Sequence, residues 1–170
     1  MIAFSREWAM PNKNTFLIKP ISNLLIRYVH DPSEWLDPFS GDNSPAILTN
    51  DLNPDKKSHW HLPAIEFADL FAGNSIKGVL FDPPYSLRQL KECYAGIDKK
   101  MTFDESKDAS FSKLKDKLSP KVKSGGCVIS FGWSTVGFGK TRGFDIEEIL
   151  LVCHGGHHND TICTVERKVR

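Results

Sequence analysis

Apolar residues recur along this chain at helical or strand spacing, and the spacing changes at proline and glycine. The chain opens on a loop-like stretch, Pro11-Asn12-Lys13-Asn14. Pro20 then stands where a first helical position belongs, and Ile21, Leu24, Leu25 and Tyr28 follow at helical spacing. This predicts a helix over 20–30, closed at Asp31-Pro32 because a residue before proline is pushed out of the helical region. Short apolar runs at 34–38, 46–49 and 78–81 read as strands, with a helix over 63–73 carrying Ile65, Phe67, Ala68, Leu70 and Phe71.

Beyond Tyr85 the pattern is polar and irregular to Asp108, apart from a helix at 87–94. A basic amphipathic helix follows over 111–122 with Leu114 and Leu118 inward, and Gly125-Gly126 leads into a strand at 127–131. Two further apolar runs, 148–152 and 161–165, flank Gly155-Gly156-His157-His158-Asn159-Asp160, which is a hairpin signal. Strands alternating with helices and ending in a hairpin imply an α/β fold. Its sheet is expected to be mostly parallel, with a C-terminal antiparallel hairpin and helices on both faces.

Composition narrows the class. At 170 residues with 40% apolar side chains and a net charge of +1, the chain fits a single folded domain spanning 1–170. No apolar run reaches membrane-spanning length and residues 1–10 lack a signal-peptide core, so a cytoplasmic protein without a membrane partner is expected. Cys93, Cys127, Cys153 and Cys163 form no paired motif and read as free thiols. His154, His157 and His158 near Asp160 read as a flexible hairpin tip rather than a metal site, and no metal is expected. Charge is uneven: residues 31–82 hold nine acids against three lysines, and residues 86–125 hold ten bases against six acids. The first stretch suits a cationic or hydroxyl-rich small ligand, the second a polyanion.

The sharpest chemistry is Asp82-Pro83-Pro84-Tyr85, directly after a buried strand. Ligands of open α/β sheets bind at the carboxyl ends of the strands. Two prolines stiffen the corner and leave carbonyls that no local N–H can claim. A carboxylate, a fixed carbonyl and an aromatic plane at one point suit the exocyclic amine of a flat base. Asp82 and the Pro83 carbonyl would accept its two hydrogens and Tyr85 would stack on the ring. A base buried in a duplex must be flipped out to reach such a site. Trp133 and Ser134, just past a strand end, are further candidates for the pocket lining.

This tetrapeptide resembles motif IV of the S-adenosylmethionine-dependent DNA methyltransferases that modify amino groups. Leu36-Asp37-Pro38-Phe39-Ser40-Gly41-Asp42-Asn43 is similar to their motif I, and Asn14-Thr15-Phe16-Leu17-Ile18-Lys19-Pro20-Ile21 resembles motif X. Asp51, with Leu52 and Asn53, stands where motif II places an acceptor for ribose hydroxyls. The resemblance implies a Rossmann-like methyltransferase sheet and S-adenosylmethionine as cofactor. It implies cofactor contacts from Asn14, Thr15, Phe16, Lys19, Pro20, Asp37, Pro38, Phe39, Gly41, Asp51, Leu52 and Asn53, and catalysis by Asp82 to Tyr85. Its motif order, with Asp rather than Ser at position 82, implies adenine N6 of duplex DNA as acceptor. RNA or a protein amide are alternative acceptors, and a catalytically weak nucleic-acid-binding or partner subunit is the alternative role.

Two departures set further expectations. Seven residues separate Pro38 from Ala46, so the helix that usually follows motif I has no room. A separate target-recognition domain of about 100 residues has none either. Recognition then falls to the loop at 86–108, to a homodimer or to a separate specificity subunit. Lys99, Lys100, Lys107, Lys113, Lys115, Lys117, Lys121 and Lys123 are candidates for phosphate contacts.

Overall fold

The computed structural model describes residues 1–97 and 111–170. One sheet of seven strands organises them: β1 (Ala3–Trp8), β2 (Trp35–Asp37), β3 (Leu48–Thr49), β4 (Ile76–Phe81), β5 (Val122–Gly132), β6 (Phe144–Cys153) and β7 (Thr161–Lys168), in the order β1-β6-β7-β5-β4-β2-β3. Strands β3, β2, β4 and β5 run parallel, and so do β6 and β1. β7 lies antiparallel between β5 and β6, giving the expected terminal hairpin.

Helices α1 (Lys19–Tyr28), α2 (Ala64–Asp69), α3 (Leu87–Ala95) and α4 (Ser112–Leu118) complete the frame. Ile21, Leu24 and Leu25 of α1 bury against Ile129, Leu150, Val152 and Val165 on one face of the sheet. On the other face, Phe67 and Ala68 of α2 and Leu114 and Leu118 of α4 pack on Leu36, Val79 and Val128. Both faces are therefore covered by helices, as the pattern implied. α1 is further held by buried Glu148, which accepts from Arg27 at 2.6 Å and from the Tyr28 hydroxyl at 2.7 Å. No helix of the described residues is long and apolar enough to cross a membrane.

Several boundaries differ from the sequence reading. α2 stops at Asp69, well before Gly73, and Phe71 packs against Phe67 from beyond its end. The helix read over 111–122 ends at Leu118, and Pro120 lies in a separate 3-10 turn, Ser119–Lys121. β1 has no counterpart in the sequence reading. It is exposed on both faces, so burial imposes no alternation on its residues, and its ladder to β6 alone defines it. No helix separates β2 from β3, in agreement with the short crossover.

Gly78 of β4 shows how tightly the sheet centre is filled. A Cβ there would sit 2.6 Å from the Trp35 indole of β2. Gly78→Ala is expected to lower unfolding stability by about 1–3 kcal/mol, the usual cost of overpacking. Urea denaturation measures this, and an unchanged midpoint would contradict the packing described.

Candidate active site

The parallel strands β2, β3, β4 and β5 direct their carboxyl ends to one edge of the sheet, where α/β ligand sites form. A cleft of about 860 Å³ opens there, within the size range of small-molecule and cofactor sites. Asp82, Pro83, Pro84 and Tyr85 from the end of β4 line it, together with Thr15 and Phe39. Asp51 and Leu52, beyond β3, form part of its wall.

The corner after β4 is held open by its neighbours. Ser86 caps α3 by accepting from the Gln89 N–H, while the Gln89 side chain accepts the Tyr85 N–H at 2.7 Å. Pro83 and Pro84 have no N–H, so this turn offers acceptors without a free backbone donor at those three positions. The Tyr85 hydroxyl donates to Asp82 Oδ1 at 2.5 Å. Desolvation pushes the Asp82 carboxyl above the usual carboxylate range, against the pull of the Tyr85 and Thr15 hydroxyls. Burial, reinforced by the Asp82 charge, raises the Tyr85 pKa, so the phenol keeps its proton and remains a donor. Tyr85 also meets Trp133 edge to face, with ring centroids 5.7 Å apart.

A network of side-chain bonds shapes the turn after β2. Asp37 is fully buried, its oxygens accepting the Phe39 N–H at 2.9 Å and the Ser44 hydroxyl at 2.6 Å. Gly41, at φ +53°, adopts the left-handed conformation that glycine tolerates, and its N–H reaches Asp51 Oδ2 at 3.0 Å. Asp51 Oδ1 accepts the Asn53 N–H at 2.9 Å. Each Asp51 oxygen therefore keeps lone-pair capacity for a further donor. Asn50, also buried, donates to the Pro38 carbonyl and exchanges two bonds with the Leu62 backbone.

The remaining residues implied by the resemblance sit elsewhere. Phe16 is in the core, edge to face with Phe131. Lys19 is exposed and Pro20 buried at the start of α1, and Asn14 precedes the 3-10 turn Thr15–Leu17. Asp37, Pro38, Gly41 and Asn53 shape the turns behind the cleft without lining it. Lys13 does line it, and so do Gln89, Tyr94 and Thr161, none of which the sequence reading singled out. The spacing of Ser86 and Gln89, a helix-start signal, was the one available pointer to Gln89. Trp133 lines the cleft as anticipated. Ser134 is exposed and does not line it. His61 Nδ1 lies 3.0 Å from the Asp51 carbonyl.

His154 is committed to the fold: its ring nitrogens contact the Ala9 carbonyl and the Thr161 hydroxyl, each at 2.9 Å, and its N–H donates to Asp160. The basic run also turns inward. Lys117 pairs with Asp69 and Lys123 with Glu34, while Lys121 donates to the Phe71 carbonyl. Lys115 is buried over the Phe81 ring. Lys99, Lys100 and Lys107, with the rest of the stretch at 98–108, lie outside the described residues.

Similarity to known proteins was found among solved structures. The 1,6-didemethyltoxoflavin-N1-methyltransferase of Burkholderia thailandensis, solved with 1,6-didemethyltoxoflavin and S-adenosylhomocysteine, superposes with a TM-score of 0.59 at 10% identity, over 89% of this chain and 78% of its own. The chain has the Rossmann-like methyltransferase fold. TrmN from Thermus thermophilus matches with a TM-score of 0.55 and 16% identity over 90% of this chain, which spans 49% of TrmN's length. A Haemophilus influenzae protein described as a methylase, HI0767, gives 0.50 and 12% identity over 89% of this chain and 96% of its own. No family model and no curated protein matches the sequence.

Asp37 gives the site a pH signature. Burial pushes its carboxyl from 3.8 up to about 7, with Ser44 and Phe39 drawing it down and Asp82 and Asp51 adding to the rise. The folded chain thus holds this proton more tightly than the unfolded chain. The associated stability is complete below about pH 4 and is lost as pH rises through about 7. Relative to Asp37→Asn, the native protein is expected to lose up to about 4 kcal/mol across that window. Denaturant titrations of both proteins at several pH values measure it, and parallel profiles would contradict it.

Proposed function

We propose that this chain transfers a methyl group from S-adenosylmethionine to the exocyclic amino group of a nucleobase flipped out of DNA, with adenine N6 as acceptor. The observation that carries the reading is the corner Asp82-Pro83-Pro84-Tyr85, whose backbone offers acceptors and no free donor, set in one cleft with Thr15 and Asp51. The fold supports the cofactor assignment, and so does the chemistry of the donor set. Asp51 retains acceptor capacity for two ribose hydroxyls, and the carboxyl groups of Asp51 and Asp82 on the cleft wall favour a sulfonium cation. Lys13, which lines the cleft, rather than Lys19, which does not, is the cation suited to the cofactor's carboxylate.

The cofactor, when bound, supplies an electrophilic methyl. The chain's part is to make the amine a better nucleophile and to aim it. The adenine amine is poor because its lone pair is delocalised into the ring. Asp82 Oδ and the Pro83 carbonyl each accept one of its hydrogens, which favours a tetrahedral nitrogen with its lone pair directed outward. Tyr85 and Trp133 supply aromatic surface at the same place, and stacking on such surfaces holds an unpaired base. Base entry requires an exchange at Asp82, where an amine hydrogen takes the place of the Tyr85 hydroxyl or shares the carboxylate with it. Alignment in a partly dry pocket then contributes much of the acceleration.

Asp82→Ala is expected to abolish methyl transfer while leaving S-adenosylmethionine affinity within about threefold, since this carboxylate serves the acceptor base. Calorimetric titration of the cofactor and incorporation of labelled methyl groups, followed by nucleoside analysis, test both parts. N6-methyladenine in DNA is the expected product. Incorporation confined to RNA or protein would overturn the acceptor, and near wild-type transfer by the variant would overturn the role of Asp82.

A further inference from the structure

β1 ends the sheet, and among the described residues no strand pairs with its outer edge. Exposed edges are commonly guarded by lysine, proline, a bulge or a covering segment. β1 carries neither lysine nor proline, with Arg6 and Glu7 as its charged residues, runs in unbroken register with β6, and is exposed at five of its six residues. Its large side chains are open to solvent, with Phe4 66% and Trp8 64% accessible and the adjoining Ile2 50%. Phe4, Arg6 and Trp8 alternate onto one face of the sheet, in line with Ile149, Leu151 and Cys153 of β6.

We propose that the outer edge of β1 binds β1 of a second copy of this chain, antiparallel about a two-fold axis normal to the sheet. The pattern of residues selects both the occupant and the register. Such an axis keeps each face on its own side, so residues of like parity stand opposite one another. Centred on Ser5, the pairing sets Phe4 opposite Arg6 of the second copy and Ile2 opposite Trp8 of the second copy. Cation on aromatic and aliphatic on indole are both stabilising cross-strand pairs. Centred on Arg6, the two guanidinium groups would face each other and repel.

Backbone bonds along the strand accompany these pairs. Two copies of Ile2, Phe4 and Trp8 plus the strand backbone bury roughly 1,000 Å², about the area at which specific interfaces begin. The antiparallel axis turns the carboxyl edges of the two sheets in opposite directions. Each copy then keeps a complete cleft, and the association holds whether or not the proposed activity does.

Sedimentation velocity of the intact chain is expected to show a dimer whose share rises with concentration. Phe4→Lys combined with Trp8→Lys is expected to shift it to monomer with an unchanged unfolding midpoint. Ser5→Cys supplies a second reading, because the register sets position 5 against itself at a Cα separation compatible with a disulfide. Mild oxidation of that variant, with the link mapped by mass spectrometry, is expected to join two copies through position 5. A chain that stays monomeric at all concentrations, a dimer that survives the double substitution, or a Ser5→Cys variant without that link would overturn the proposal.

Discussion

The buried carboxyl of Asp37 is the point on which the carboxyl edge of the sheet depends. β2 must turn within a few residues and return as β3, with no helix to absorb its polar backbone. Buried N–H and C=O groups left unpaired would be costly, so the turn is satisfied from within. Asp37 takes the Phe39 N–H and the Ser44 hydroxyl, Ser40 donates to the Asn50 carbonyl, and Asn50 binds Pro38 and Leu62. Side-chain bonds here do what an intervening helix does in longer crossovers. Gly41 then lies against Asp51 rather than projecting into solvent, and Asp51 is presented to the cleft.

That arrangement carries an electrostatic consequence. Asp37, behind the cleft, is close enough to Asp51 and Asp82 on its wall for their charges to add to the rise in its pKa, and by holding its proton up to about pH 7 it relieves part of the crowding among the three carboxyls. Such a cluster is unfavourable by itself, and a cation placed beside it would offset part of that cost. Tyr85 and Thr15 moderate it at Asp82 by offering hydroxyl protons. The same hydroxyls satisfy Asp82 from within the chain, so the corner is held in place by its own hydrogen bonds.

Much of this was legible in the sequence because the elements involved are buried. The parallel strands leave continuous apolar runs, and Asp82-Pro83-Pro84-Tyr85 interrupts one of them abruptly. The hairpin was marked by its glycines, and the missing helix by a short interval. What escaped notice lacks a burial pattern. β1 is defined by its ladder to β6, and Lys13, Tyr94 and Thr161 meet in the cleft only through tertiary folding. Asp37 and Phe16 belong to the motifs of the resemblance, and in the fold one stitches the turn and the other fills the core. Side chains adjacent in a motif can divide between lining a site and supporting it, and spacing does not distinguish the two.

The basic run after the cleft illustrates a related limit of charge counting. Lys121 and Lys123 flank the first residue of β5, while Trp133, just past its other end, lines the cleft. These lysines therefore occupy the edge of the sheet opposite the acceptor corner. Lys117, Lys121 and Lys123 are engaged with Asp69, the Phe71 carbonyl and Glu34. Screening in physiological salt attenuates exposed charges beyond roughly 8 Å, so lysines at that edge add little to the field at the carboxyl edge. Lys13 lines the cleft, and Lys117, Lys121 and Lys123 link α2, α4 and the amino ends of the strands. The sign asymmetry along the chain thus reflects how the two edges of the sheet are held, while the chemistry depends on the few charges that the carboxyl edge presents.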